Sequence, residues 1–148
     1  MTLLERLAQE LKSALLARDA ERLSTLRLLK SAVGYAQIER KTETLPDAEV
    51  VAIIHKEVKK RREAVEQYDK GGRPELAAKE SREITVLESF LPRPLSSEEL
   101  EQLVRDAIQE TGAVGRKQMG QVIKAVQAKA ANRAEGKVIS EQVTKLLP

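Results

Sequence analysis

The chain has 148 residues, a usual size for one domain, and 82 of them are Ala, Glu, Lys, Arg or Leu, the bias of a helix-rich protein. Having no cysteine, it is excluded from disulfides, thiolate metal sites and cysteine nucleophiles, and its three aromatic residues, Tyr35, Tyr68 and Phe90, are too few for a base-stacking nucleic-acid platform. Formal net charge is only +3, but residues 111–148 hold seven basic and two acidic side chains, so basicity gathers toward the carboxyl end.

The opening stretch MTLLERLAQELK interleaves charges with leucines, unlike a secretory hydrophobic segment, and no run reaches the ~18 apolar residues of a membrane span. A soluble cytoplasmic protein without a membrane partner is expected. Leu3, Leu7, Leu11 and Leu15 recur every four residues and predict an amphipathic surface helix. After Asp19, an N-cap residue, a second helix is predicted to about Glu39. Leu23, Leu26, Leu28, Leu29, Ala32, Val33, Ala36 and Ile38 cover most of its circumference, which predicts a central position. Arg27, Lys30, Gly34 and Gln37 share the remaining polar strip, which reads either as a solvated face or as phosphate contacts.

Pro46 suits the first turn of a third helix, with Asp47 and Glu49 complementing its amino-terminal dipole, and Gly71-Gly72 stops it. Pro74 opens a fourth helix that ends before Pro92, and the short GGRP connection forces an antiparallel hairpin. On helix three the stripe Val50, Ile54, Val58, Val65 and Tyr68 has Arg61 in its middle. On helix four Leu76, Ile84, Leu87 and Leu91 enclose Glu80, with Glu83 at the edge. A lone buried charge costs several kcal/mol, so the hairpin predicts a structural ion pair from Arg61 to Glu83, Glu80 or both.

The stretch SFLPRPLSSEEL is the clearest boundary. Pro92 and Pro94 interrupt the helix, and Ser96 with Glu99 has the spacing of a capping box that starts the next one. Leu100, Leu103, Val104 and Ile108, then Met119, Val122, Ile123, Val126 and Ala130, then Val138, Ile139, Val143, Leu146 and Leu147 mark three short helices. The expected architecture is all-α, with an amino-terminal four-helix domain over 1–93 and a small three-helix bundle over 94–148.

Catalytic patterns are absent from the residues. His55, the only histidine, stands beside Lys59 and Arg62 off the apolar stripe, with no histidine or cysteine to share a metal, so neither a metal nor a catalytic role is assigned. Gly71-Gly72 fits neither a P-loop nor a dinucleotide fingerprint. In VGRKQMG, Gly115 precedes a helix start beside Arg116 and Lys117, which reads either as helix initiation or as an anion cradle. Between the last two helices the run Asn132-Arg133-Ala134-Glu135-Gly136-Lys137 reads as a corner, with Gly136 relieving the backbone. Lys117, Gln121, Lys124 and Ala128 point away from the apolar stripe, a pattern of solvated lysines or of phosphate contacts.

The stretches RLSTLRLLKSAVGYAQIE, VKKRREAVEQYDKGGRPELAAKESREITVLESFLP and MGQVIKAVQAKAANRAEGKVISEQVTKLL resemble, in order and over nearly the whole chain, the YqeY family. That family is similar to the carboxyl-terminal tail of GatB, a subunit of the tRNA-dependent amidotransferase. Departures are Gln118, Asn132 and Glu135, where aspartate, glycine and aspartate are common, and they weaken any role for a capping aspartate. The resemblance implies a helical domain followed by a three-helix tail, contact with tRNA or a tRNA-handling complex in translation, and the family label of a carbon-nitrogen ligase with glutamine as amide donor. The larger catalytic part of that enzyme is missing, so no catalytic residue and no cofactor is carried over. Contact with tRNA is carried to Lys117, Lys124, Lys129, Arg133 and Lys137. Two other classes stay open: an adaptor that binds protein through the amino-terminal helices, and a helper that assists an amidotransferase in trans.

Overall fold

The computed structural model describes residues 1–131 and 133–148. Among them are seven α-helices and no strand: α1 Leu3–Leu16, α2 Ala20–Arg40, α3 Asp47–Lys70, α4 Pro74–Glu88, α5 Ser97–Thr111, α6 Met119–Ala130 and α7 Gly136–Leu146, with a 3-10 turn at Arg116–Gln118. The protein is all-α. The chain divides into two compact units, Met1–Leu91 and Pro92–Pro148, each with its own apolar core.

In the first unit, α1 opens on a capping box. Thr2 Oγ1 accepts from Glu5 N at 3.1 Å and Glu5 Oε2 accepts from Thr2 N at 3.1 Å, which satisfies two of the helix's open donors. A third, Leu3 N, donates to Asp47 Oδ1 at 3.0 Å, so a carboxylate of the first turn of α3 also serves the amino end of α1. Asp19 caps α2 by accepting from Arg22 N at 3.2 Å. Pro46 is the N-cap of α3 and not part of its first turn. Gly72, at φ +70°, makes the left-handed turn between α3 and α4, which any side chain would strain.

Leu7, Leu26, Leu29, Val33, Val50, Ile54, Val58, Leu87 and Phe90 fill the core of this unit. Leu26, Leu29, Val50, Ile54 and Leu87 are almost wholly buried, and truncating a leucine or isoleucine among them to alanine costs about 2–5 kcal/mol. Arg6 of α1 lies 4.9 Å over the Phe90 ring and its Nη2 donates to Ser89 O at 2.6 Å, closing the carboxyl end of α4. Across the other side, Arg82 grips Glu21 at 2.6 and 3.3 Å.

The expectation that α2 is apolar because it is surrounded needs correction. It packs against α1, α3 and α4 through Thr25, Leu26, Leu29 and Val33, but Leu28, Tyr35 and Ile38 are 51%, 76% and 77% exposed. The helix has three neighbours in its unit, and its remaining side is bare.

In the second unit, Ser96 and Glu99 form the capping box of α5, with Glu99 N donating to Ser96 Oγ at 3.1 Å. Gly112, at φ +68°, ends the helix. Leu100, Val104, Ala107, Val122, Val126, Ala130, Ile139, Val143 and Leu147 form the core, and α5, α6 and α7 pack on one another pairwise. The corner between α6 and α7 turns at Ala131, whose φ is +48°. Gly136 does not relieve it: this glycine is the first residue of α7 and has no left-handed backbone. Asn132 lies outside the described residues.

Candidate nucleic-acid interface

The cations of the second unit fall into two groups. Lys117 sits in the 3-10 turn, Lys124 midway along α6 and Lys137 at the second residue of α7. All three are exposed, as is Arg116 beside Lys117, and none forms a salt bridge among the described residues. Gly136 faces the Gln127 side chain of α6, so the start of α7, where Lys137 stands, lies along the carboxyl half of α6.

Lys129 and Arg133 are engaged within the protein. Lys129 Nζ is paired with Glu110 Oε1 at the end of α5. Arg133 Nε donates to Arg93 O at 2.9 Å, its Nη2 reaches Glu99 Oε2 at 3.5 Å, and its own carbonyl accepts from Leu95 N at 2.9 Å. That set fastens residues 93–95 to the corner after α6, which makes Arg133 a clamp inside the unit. Bonds from the Ser96 hydroxyl and the Ser96 N–H, helped by Arg93 and Arg133, hold the Glu99 carboxyl below its ordinary range. Sequence spacing sorted cations by helix face but had no signal for these long-range acceptors.

The loop read as a possible anion cradle is closed by its own side chain: Val114 N donates to Gln118 Oε1 at 2.7 Å. Gln118 is the N-cap residue of α6, yet its amide reaches back to Val114 and makes no cap bond to the helix. Three residues of 3-10 turn precede α6, so Gly115 is not at the mouth of a long helix.

On the α3–α4 hairpin, Arg61 and Glu83 are both 8% exposed. Arg61 Nε is buried 3.5 Å from Glu83 Oε2, an ion-pair separation without hydrogen-bond geometry. The stronger bonds go to its own helix, where Nη1 donates to Glu57 Oε2 at 3.0 Å and to the Glu57 carbonyl at 3.1 Å. Glu57, four residues before Arg61, was not among the expected partners. Glu83 lies deeper than Glu80, the reverse of the order read from the helical stripe, and Glu80 is half-buried. Burial first, then the neighbouring Glu83 carboxyl, push Glu80 above the ordinary carboxylate range against the pull of Arg61 and Lys79.

Among the described residues, no three His, Cys, Asp or Glu side chains gather so as to hold a metal ion, and no helix is long and apolar enough to cross a membrane. Fold and site together define an all-α protein of two helical units, the second carrying outward-facing cations. The chain belongs to the YqeY family: the family's model, described as Yqey-like protein, matches residues 4–147.

It has fungal relatives. An uncharacterized protein of Schizosaccharomyces pombe is 35% identical over 89 residues, 60% of this chain and 72% of that protein. The protein named altered inheritance of mitochondria protein 41, mitochondrial, is 26% identical in Vanderwaltozyma polyspora over 114 residues, 73% of this chain and 62% of that one. Its namesake in Pyrenophora tritici-repentis is 28% identical over 145 residues, 96% of this chain and 77% of that one.

Proposed function

We propose that the chain is a non-catalytic helical module that binds tRNA, or a complex that handles it, through residues 94–148, with the four helices of 1–93 as a separate domain. The observation that carries this reading is the set Arg116, Lys117, Lys124 and Lys137, open to solvent and without salt bridges among the described residues, on the segment where positive charge accumulates. Contacts of this kind track phosphates and shape and leave base sequence unread. Lys129 and Arg133 are tied to Glu110, Arg93 and Glu99 and contribute less charge to the surface. The reading places the chain first in the cytoplasm, and the mitochondrial names describe the fungal relatives. Any part in a glutamine-dependent carbon-nitrogen ligase would be as a helper of a separate catalytic protein.

Filter binding of tRNA across a salt series tests the reading. Lys117→Glu, Lys124→Glu and Lys137→Glu together should weaken binding and make its salt dependence shallower, by about one unit of slope for each phosphate no longer neutralised. Equal binding by the variant and the wild type rejects the surface.

A second reading has its own observation. Leu28, Tyr35 and Ile38 stand exposed on α2, which favours an adaptor that binds protein through the amino-terminal helices. Partners that survive ribonuclease treatment of a pull-down support the adaptor, and partners released with the RNA support the first reading.

A further inference from the structure

The bare side of α2 has a pattern finer than exposure. At 100° per residue, Leu28, Tyr35 and Ile38 lie within one arc of about 80°, with Ser24 and Ser31 among them, while Thr25, Leu26, Leu29 and Val33 face the core. Next round the helix from Ile38 come Arg27, Gly34 and Lys30, with Lys41 at the C-cap. Arg27, Lys30 and Lys41 are exposed and form no salt bridge among the described residues. The opposite edge carries Glu39, and Glu21 there is already held by Arg82.

Gly34 is the anomaly of this face. Glycine is the least favourable residue after proline inside a helix, and a natural chain keeps one there for a positive φ or a close approach. Neither exists among the described residues: φ is not in the left-handed region, and a Cβ added at Gly34 would meet nothing within 4 Å. A close approach from outside accounts for it. The missing side chain makes a notch in the helix within the row of cations, one step round from the apolar ridge.

We infer that this face of α2 is the docking site for an amphipathic helix of a partner protein. The partner's apolar stripe would lie on Leu28, Tyr35 and Ile38, its backbone would cross at Gly34, and its carboxylates would meet Arg27, Lys30 and Lys41. Charge complementarity selects the occupant. A basic helix would be repelled along one edge, and nucleic acid would leave Leu28 and Ile38 facing phosphate. The inference specifies the adaptor reading and rests on it, and it is independent of the cations on α6 and α7.

The test uses the full chain and two synthetic helical peptides with one leucine stripe, flanked in one by glutamates and in the other by lysines, in fluorescence anisotropy. The glutamate peptide should bind at least tenfold more tightly than the lysine peptide. Gly34→Leu should unfold at a higher temperature than the wild type, because leucine is the better helix former in open space, and yet bind the glutamate peptide at least tenfold more weakly. Arg27→Glu with Lys30→Glu should reverse the preference between peptides. Unchanged binding by Gly34→Leu, equal binding of the two peptides, or a concentration-dependent dimer that excludes both would overturn the inference. Loss of every partner with ribonuclease would instead sink the adaptor reading, whatever the peptides do.

Discussion

Replacing Arg61 with methionine keeps the buried stem and removes the charge, so the stability change reports what the guanidinium does for its neighbours. At 3.5 Å from Glu83, and at an effective dielectric of about 20, the gross attraction is about 5 kcal/mol. Desolvation of two groups that are each 8% exposed offsets most of that. Removing only the cation leaves the desolvation of Glu83 uncompensated, a situation that costs about 3–5 kcal/mol. The expected destabilisation of Arg61→Met is therefore about 3 kcal/mol, read as a lower urea midpoint followed by far-UV circular dichroism. Adding Glu83→Leu and Glu80→Gln should restore most of it, since the buried carboxylate then leaves with the cation, while Glu57 keeps Lys60 at 3.5 Å. If the losses of the separate substitutions simply add in the triple variant, the groups are uncoupled and the reasoning fails.

At the α6–α7 corner, Ala131→Gly should stabilise by about 0.5 kcal/mol, the left-handed strain of about 1–2 kcal/mol less the extra entropy of glycine, whereas Gly136→Ala should be neutral or mildly stabilising; a loss at Ala131→Gly in chemical denaturation would contradict the assigned bend. Glu80 has a raised folded-state pKa, so its contribution is fully present below the unfolded value and is lost as pH rises through the folded one. Glu80→Gln should accordingly raise stability at pH 7 and change little near pH 4, and a gain independent of pH would count against the cause given. Arg133→Ala should cost about 1–2 kcal/mol through removal of its bonds to Arg93 and Glu99, while Lys124→Ala stays within about 0.5 kcal/mol; thermal melts of the two variants compare them directly.

Helix ends were legible where the signal is local. Asp19, Gly71-Gly72 and the Ser96–Glu99 pair each act within four residues of their own position, so spacing alone places them. The Thr2–Glu5 box has the same spacing as Ser96–Glu99 and could have been read the same way. Periodicity showed that Leu28 and Ile38 are apolar but had no means of counting the helices available to cover them. The exchange of depth between Glu80 and Glu83 reflects a helical stripe whose centre is set by how α4 rolls on α3, a tertiary choice. Ala131 carries no glycine to announce a left-handed bend. Among the candidate cations, an outward position followed from the helix face for Lys117 and Lys124, but the capture of Arg133 depends on the Arg93 carbonyl 40 residues earlier, beyond the reach of a local pattern.

The bonds that hold α1 say something about the order in which this chain can fold during synthesis. α1 leaves the ribosome before the elements that fasten it, its amino end waiting for Asp47, 44 residues later, and Arg6 for the Ser89 carbonyl, 83 residues later. Until the end of α4 has emerged, α1 can pack on α2 and α3 but Arg6 lacks Phe90 and Ser89. The nascent amino-terminal segment is therefore only partly held, and accessible to chaperones, until the first unit is complete.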